Sequence, residues 1–263
     1  MTLRYAILGD PVAHSRSPII QNAAFAHGGI DAQYVPLRVD EAGLRQAASD
    51  IRSGRLAGAN VTMPHKQLAA RLVDEVRGDG YCMRAVNTLW RESGRLIGAS
   101  TDPEGLLFAW AYAGLPDDGP VLVLGAGGAA AAALVALGNR PLRVAARREE
   151  SARAMVVSLG SDASVIPWGA AVPGCVVVNA TPVGMKGEAL PPNVVAGAVG
   201  LFEMTYGRVA SPAESDLRKR KLPVATGEMM LVGQGAASFR LWTGADVPHA
   251  VMIDALATAE SGT

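Results

Sequence analysis

The chain has 263 residues, 49% hydrophobic and 18% charged, enough apolar material for two modest domains and too much for wholesale disorder. Lysine plus arginine equals aspartate plus glutamate at 24 each, so the basic excess that a nucleic-acid or acidic-membrane partner calls for is missing. Cys82 and Cys175 cannot build a disulfide framework and read as buried thiols; with no leader pattern at the start, a cytoplasmic protein is expected.

Strand and helix patterns alternate along the chain. Tyr5–Leu8 reads as a buried strand that ends at Gly9-Asp10-Pro11, and a helix is expected to start near Ser17-Pro18. Gln33–Val39 is a strand candidate, Glu41–Ile51 a helix candidate, and Leu56–Val61 a short apolar strand that stops at Thr62-Met63-Pro64. Val86–Trp90 and Arg95–Ala99, joined by Glu92-Ser93-Gly94, predict a hairpin.

A second block begins near Asp102. A helix over Pro103–Gly114 leads through a turn-rich link to strand Val121–Leu124, a glycine loop, an alanine-rich helix and strand Leu142–Ala146. Further strands are expected at Val176–Asn179, Val199–Glu203 and Val224–Ala225, a spacing that argues for a parallel sheet with helices on both faces. From Gly227 the pattern turns helical through Trp242, and again from Ala250 to Ala259; periodicity leaves open which block this tail rejoins. His14, His27, His65 and His249 form no ligand-spaced cluster, so no metal is expected, and His27 and His249 read as surface or capping residues.

Gly125-Ala126-Gly127-Gly128-Ala129-Ala130, set between a buried strand and a helix, fits a dinucleotide-binding turn. Gly125 permits the tight turn, Gly127 lets the backbone approach a pyrophosphate, and Ala130 allows close packing of the helix on the sheet. The phosphates would then meet the free N–H groups of the helix start. At the end of the second strand an NAD enzyme usually carries an acid for the ribose; this chain carries Arg147-Arg148, which suits a 2′-phosphate and points to NADP. A solvated turn is the alternative for these two arginines.

Polar residues gather at expected strand ends in the first block. Ser15 and Ser17 beside a helix start could bind a carboxylate, or Ser17 could cap the helix. Asn60, Thr62 and Lys66 follow an apolar strand, Asn87 opens the hairpin and Asp102 follows its end. Spacing alone raises no functional role for these residues above turn formation, an N-cap or, for Lys66, the usual surface charge.

Seven strings in order resemble the shikimate dehydrogenase family: Gly-Asp-Pro-Val-Ala-His-Ser-Arg-Ser-Pro (9–18), Asn-Val-Thr-Met-Pro-His-Lys (60–66), Ala-Val-Asn-Thr (85–88), Ser-Thr-Asp (100–102), Gly-Ala-Gly-Gly-Ala-Ala (125–130), Asn-Ala-Thr-Pro-Val-Gly-Met (179–185) and Gly-Gln-Gly-Ala-Ala-Ser-Phe-Arg-Leu-Trp-Thr-Gly (233–244). The resemblance spans nearly the whole chain. It implies an α/β fold of two domains with a cleft between them. One is an N-terminal α/β substrate domain, 1–101 completed by the helices of 228–263; the other is a Rossmann-type doubly wound dinucleotide-binding domain, 102–227.

The resemblance further implies reversible oxidation of shikimate to 3-dehydroshikimate with NADP, in the synthesis of aromatic amino-acid precursors. Carried over by motif, Lys66 and Asp102 form the catalytic pair, Ser15 and Ser17 hold the carboxylate, and Asn60, Thr62, Asn87, Asp102 and Gln234 bind ring hydroxyls. Thr181 lines the nicotinamide pocket, as Met185 could unless it simply packs. The cofactor set is Gly125, Gly127, Gly128, Ala129, Ala130, Arg147, Arg148, Thr181 and Gly227. The expected partners are a small carboxylated substrate and NADP, with no nucleic acid and no membrane, in a monomer or homodimer.

The chain departs from the family pattern in three places. Gln21-Asn22 stands where relatives often have His-Asn, Ala146-Arg147-Arg148 replaces Asn-Arg-Thr, and Tyr206-Gly207-Arg208 replaces Tyr-Asn-Pro, with Tyr206 kept as a substrate contact. Two alternatives follow: quinate or an amino-substituted shikimate as substrate, and a non-catalytic nucleotide-binding regulator. Retention of both Lys66 and Asp102 argues against the regulator.

Overall fold

The structure, a computed structural model, describes residues 1–205 and 209–261. Backbone contacts gather the chain into two units, Met1–Gly105 with Leu231–Thr263, and Leu106–Met230.

The first unit runs β1 (Leu3–Gly9), α1 (Ser17–His27), β2 (Ala32–Arg38), α2 (Glu41–Ser53), β3 (Gly58–Val61), α3 (Lys66–Leu72), β4 (Glu75–Arg77), α4 (Gly80–Met83), β5 (Thr88–Glu92) and β6 (Arg95–Ala99). The strands form one sheet in the order β2-β1-β3-β5-β6-β4. Pairing is parallel at β1–β2, β1–β3 and β4–β6, and antiparallel at β3–β5 and in the β5–β6 hairpin. β4 is a short, charged edge strand, which carries no apolar alternation to betray it in the sequence.

Alternation along β1 sends Ala6 and Leu8 to one face and Tyr5 and Ile7 to the other. Ala6 and Leu8 pack with Leu44, Ala47, Ala48 and Ile51, the i, i+3, i+4, i+7 stripe of α2, and with Leu68 and Ala69 of α3. Asp40 caps α2 by accepting from the Gly43 N–H, and Gly54, at φ +80°, ends it in the left-handed region.

Tyr5 stacks on Phe25 of α1 at 4.7 Å and meets Trp242 at 4.9 Å. The tail supplies that tryptophan: α10 (Gly227–Thr243) and α11 (His249–Ser261) follow the second unit in the chain, and residues from Leu231 onward belong to the first. Trp242 donates its indole N–H to the Leu89 carbonyl at 3.1 Å. Gly58 makes room for the ring, since a Cβ there would lie 2.7 Å from Trp242 Nε1.

The second unit takes up most of α5 (Asp102–Tyr112) and continues with β7 (Val121–Leu124), α6 (Gly128–Ala136), β8 (Leu142–Ala145), α7 (Glu149–Leu159), β9 (Ser164–Val165), β10 (Val176–Asn179), α8 (Pro192–Ala196), β11 (Gly200–Glu203), α9 (Pro212–Lys219) and β12 (Val224–Thr226). All its strands are parallel, in the order β12-β11-β10-β7-β8-β9. This is the doubly wound order, with its switch between β7 and β10, where such sheets open a crevice at the carboxyl ends of the strands.

Both faces of this sheet are covered. Val121 and Val123 pack with Leu106, Trp110, Ala130 and Leu134, while Leu122 and Leu124 pack with Val194 and Leu217. One expectation fails on the cysteines. Cys175 is buried among β-sheet neighbours and its thiol is pushed up to about 11 by burial, but Cys82 is exposed. Cys82 lies on the four-residue α4, which turns only Gly80 and Met83 inward.

Candidate functional site

In the first unit Asn60, Lys66, Asn87, Asp102 and Gln234, all singled out by sequence, converge on one hydrogen-bonded array. Lys66 is the first residue of α3, Asn87 precedes β5 and Asp102 opens α5. Lys66 Nζ donates to Asp102 Oδ2 at 2.5 Å, and Asn87 Nδ2 donates to Asp102 Oδ1 at 2.8 Å. The orientation of Asn87 is set independently: the Thr101 backbone N–H, which can only donate, lies 2.9 Å from Asn87 Oδ1. Asp102 is 3% exposed, whereas the Lys66 side chain keeps 30% of its surface. The surface-lysine and bare N-cap readings therefore give way to a buried carboxylate paired with a half-exposed ammonium.

Asn87 is itself buried, and its amide also faces Thr101 Oγ1 at 3.0 Å and Gln234 Oε1 at 3.2 Å. Gln234, half-buried on α10, thus offers its oxygen inward. Asn60, at the end of β3, donates to the Asn87 carbonyl at 3.0 Å, to Thr88 Oγ1 at 3.1 Å and to Ser238 Oγ at 2.9 Å. Thr62, two residues on, is half-buried and its hydroxyl has no hydrogen-bond partner among the described residues.

Ser15 and Ser17 sit at the start of α1. Arg16, not Ser17, occupies the N-cap position, and no side chain caps the helix there, so Ser17 does not cap it as one reading had it. Ser15 Oγ accepts from the Ser17 N–H at 3.3 Å, a local turn, while the buried Ser17 hydroxyl faces the Tyr34 phenol. Burial holds the Tyr34 phenol well above its ordinary value, so it stays protonated and can donate.

The departure at 21 and the Asn22 beside it both bond across the unit. Gln21 Nε2 donates to the Gly235 carbonyl at 2.9 Å, and Asn22 exchanges hydrogen bonds with the backbone of Tyr34. Tyr34, Thr88, Thr101 and Ser238 were not singled out by sequence. For Ser238 and Thr88 the signal available was their place inside the matched strings; for Tyr34 there was none beyond an aromatic residue on a strand.

The second unit holds the glycine turn. Gly125 adopts φ +120°, and a Cβ there would lie 2.8 Å from the Ala180 carbonyl oxygen, so both conformation and space call for glycine. Gly127 and Gly128 are exposed, and a Cβ on either would meet open space. They lie at the start of α6, whose first N–H groups lack intrahelical partners. Ala129 is exposed, and Ala130 is fully buried against the sheet. Arg147 and Arg148 follow β8, both exposed and neither in an ion pair among the described residues. Open space before a helix start, two free guanidiniums at the neighbouring strand end and no acid between them fit a phosphorylated dinucleotide.

A cavity of about 520 Å³ lies in the same unit, lined by Met185, Glu203, Thr205, Ser211, Thr226 and Glu228 among others. Met185 is 63% exposed there, which removes the packing reading for it. Thr181 donates its hydroxyl to Asn179 Oδ1 at 2.7 Å, and Asn179 Nδ2 donates to Glu203 Oε1 at 2.8 Å. Glu203 also accepts from Thr205 Oγ1 and Ser211 Oγ, each at 3.0 Å. Burial raises the Glu203 carboxyl above its usual range, and these hydrogen bonds oppose the shift. Gly227 is buried at the first position of α10. Tyr206 lies outside the described residues.

Known proteins resemble the chain along its whole length. The shikimate dehydrogenase substrate binding domain model matches residues 7–89, and the shikimate 5'-dehydrogenase C-terminal domain model matches 227–257. The shikimate dehydrogenase (NADP(+)) of Anaeromyxobacter sp. strain Fw109-5 is 39% identical, with 100% of this chain and 98% of the relative aligned. That of Methanothermobacter thermautotrophicus is 35% identical over 95% of this chain and 94% of its own. Among solved structures, shikimate 5-dehydrogenase from Thermus thermophilus in complex with NADP(H) and shikimate superposes with a TM-score of 0.89. Its sequence is 33% identical, and the match covers 98% of this chain and 100% of that one. Full-length identity at this level, together with the shared two-domain α/β fold, places the chain in the shikimate dehydrogenase family.

Proposed function

We propose that the chain catalyses the reversible NADP-dependent oxidation of shikimate to 3-dehydroshikimate. The observation that carries the reading is the Lys66–Asp102 pair, closed at 2.5 Å with the carboxylate buried and its second oxygen held by Asn87. Removing hydride from a carbinol must be matched by loss of the hydroxyl proton, and reduction needs that proton returned. Lys66 is the group of the pair with exposed surface, and it gives or takes the proton at the ring oxygen. Asp102 keeps the ammonium in place through their ion pair, so the two act together on the proton.

The remaining roles follow the motifs. Ser15 and Ser17 receive the substrate carboxylate, and Asn60, Thr62, Asn87, Gln234 and Tyr206 take ring hydroxyls or the ring edge. Residues 1–101 with 228–263 form the substrate domain, and 102–227 form the cofactor domain. Gly125, Gly127, Gly128, Ala129 and Ala130 cradle the pyrophosphate, Arg147 and Arg148 hold the 2′-phosphate, and Thr181 and Gly227 border the nicotinamide. When bound, the cofactor itself exchanges the hydride. The two free cysteines suit a reducing compartment, and a cytoplasmic monomer or homodimer completes the reading.

The test is absorbance at 340 nm with shikimate or quinate crossed against NADP or NAD. Reduction of NADP by shikimate, with the other three combinations much slower, is the expected result. Activity mainly with quinate, or mainly with NAD, contradicts the roles given to Ser15 and Ser17 or to Arg147 and Arg148. No turnover in any combination overturns the reading.

A further inference from the structure

Tyr34 belongs to no matched string and has no part in the chemistry above, yet three elements hold it. It lies on the edge strand β2, 1% exposed, with its ring 6.0 Å from that of Trp242. Asn22 of α1 brackets its backbone, accepting from the Tyr34 N–H at 2.8 Å and donating to the Tyr34 carbonyl at 3.0 Å. The hydroxyl lies 2.7 Å from Asn60 Oδ1 and also contacts the Ser17 hydroxyl.

The polarity of this contact follows from one fixed point. The Asn87 backbone carbonyl can only accept, so the Asn60 atom facing it at 3.0 Å is the amide nitrogen. Oδ1 then faces Tyr34, and the phenol donates to it. Both N–H groups of Asn60 are committed, to the Asn87 carbonyl and to the hydroxyls of Ser238 and Thr88. What Asn60 has left for a ligand is one lone pair on Oδ1.

We propose that Tyr34 is a positioning residue of the substrate site. Its hydroxyl clamps Asn60 so that this side chain meets a substrate hydroxyl as an acceptor, and it ties the Ser17 end of the site to the Asn60 end in one rigid array. The inference rests on the shikimate reading of this site. Without the phenol, Oδ1 and the Ser17 hydroxyl lose a buried partner, and the Asn60 carboxamide loses the one bond that holds its oxygen.

The experiment is steady-state kinetics of Tyr34→Phe, which keeps the ring against Trp242, with Asn60→Ala and the double variant alongside. Melting temperatures are measured on the same samples. The expected result is a fall in kcat/KM for shikimate of about tenfold or more, carried mainly by KM, with KM for NADP within about twofold of wild type. In the Asn60→Ala background the same hydroxyl deletion should change kcat/KM for shikimate by less than about twofold, because its target is already gone.

A Tyr34→Phe enzyme within about twofold of wild type for shikimate overturns the proposal. So does an equal effect with and without Asn60, or a joint rise of both KM values with a lowered melting temperature, which is loss of structure alone. A wild-type enzyme that does not turn over shikimate overturns the functional reading and this inference with it. An active wild type isolates the role of Tyr34.

Discussion

Asn87 stands amide to carboxylate against Asp102, Nδ2 to Oδ1 at 2.8 Å, and the Thr101 N–H on Asn87 Oδ1 prevents the amide from turning round. The substitution Asn87→Asp would set two carboxyl groups in contact, and one of the pair would hold a proton to a higher pH. The acidic limb of the kcat profile should therefore move upward, with kcat reduced at least about tenfold at neutral pH. Kinetics from pH 5 to 9 checks this; a profile matching wild type would mean that Asn87 does not govern the charge on Asp102.

Lys66→Ala should lower turnover by about 10² to 10⁴ while changing shikimate affinity much less, since in the proposed role the ammonium acts on the proton and not on the bulk of the ring. Single-turnover rates beside equilibrium binding separate the two effects. Turnover within a few-fold of wild type would remove Lys66 from the chemistry.

The glycine turn offers a matched pair. Gly125→Ala forces a Cβ into 2.8 Å contact with a backbone carbonyl at φ +120°, and should cost about 1–3 kcal/mol of stability. Gly127→Ala enters open space at φ −99°, so its melting temperature should stay near wild type while KM for NADP rises. Thermal unfolding and NADP titration of both variants check the contrast; the assignment of Gly127 fails if NADP binding is untouched.

If Arg147 and Arg148 hold the 2′-phosphate as proposed, replacing both with alanine should weaken NADP far more than NAD. Comparing kcat/KM for the two cofactors decides it. A parallel fall for both would mean that these residues act on the fold.

Glu203 carries a pH signature. Its carboxyl is raised in the folded state, mainly by burial, so the unfolded chain ionises first as pH rises. The stability this residue contributes is fully present below the ordinary carboxylate range and declines as pH climbs through the raised folded value. Melting of wild type against Glu203→Gln should show the wild-type advantage shrinking from pH 4 upward; an advantage that grows would contradict the raised carboxyl.

Much of the fold was legible because periodicity reports burial. The Val121–Leu124 strand and the i, i+3, i+4, i+7 face of α2 were plain in the sequence, and each covers a core. β4 was not, since Glu75 and Arg77 make a polar edge of three residues. At the site, Lys66 and Asp102 came from motif resemblance, while spacing left both open to duller readings. Only three dimensions bring Lys66 to 2.5 Å from a residue 36 positions away. Tyr34 and Glu203 escaped notice because a buried tyrosine on a strand and a glutamate at a strand end look like packing and solvation. Their hydrogen bonds reach partners 26 and 24 residues off in sequence.

The Asn60–Ser238 hydrogen bond spans 178 residues of chain and has a consequence for the order of synthesis. A ribosome delivers Lys66, Asn87 and Asp102 early, but Gln234, Ser238 and Trp242 emerge only after the whole second unit. Until then the nascent first unit must wait with Tyr5 and Phe25 uncovered by their tail partners, exposed to chaperones and proteases. The proposed acid–base pair and the residues that finish its surroundings are thus made on either side of the second unit, and the array cannot close until the helices beyond that unit have emerged.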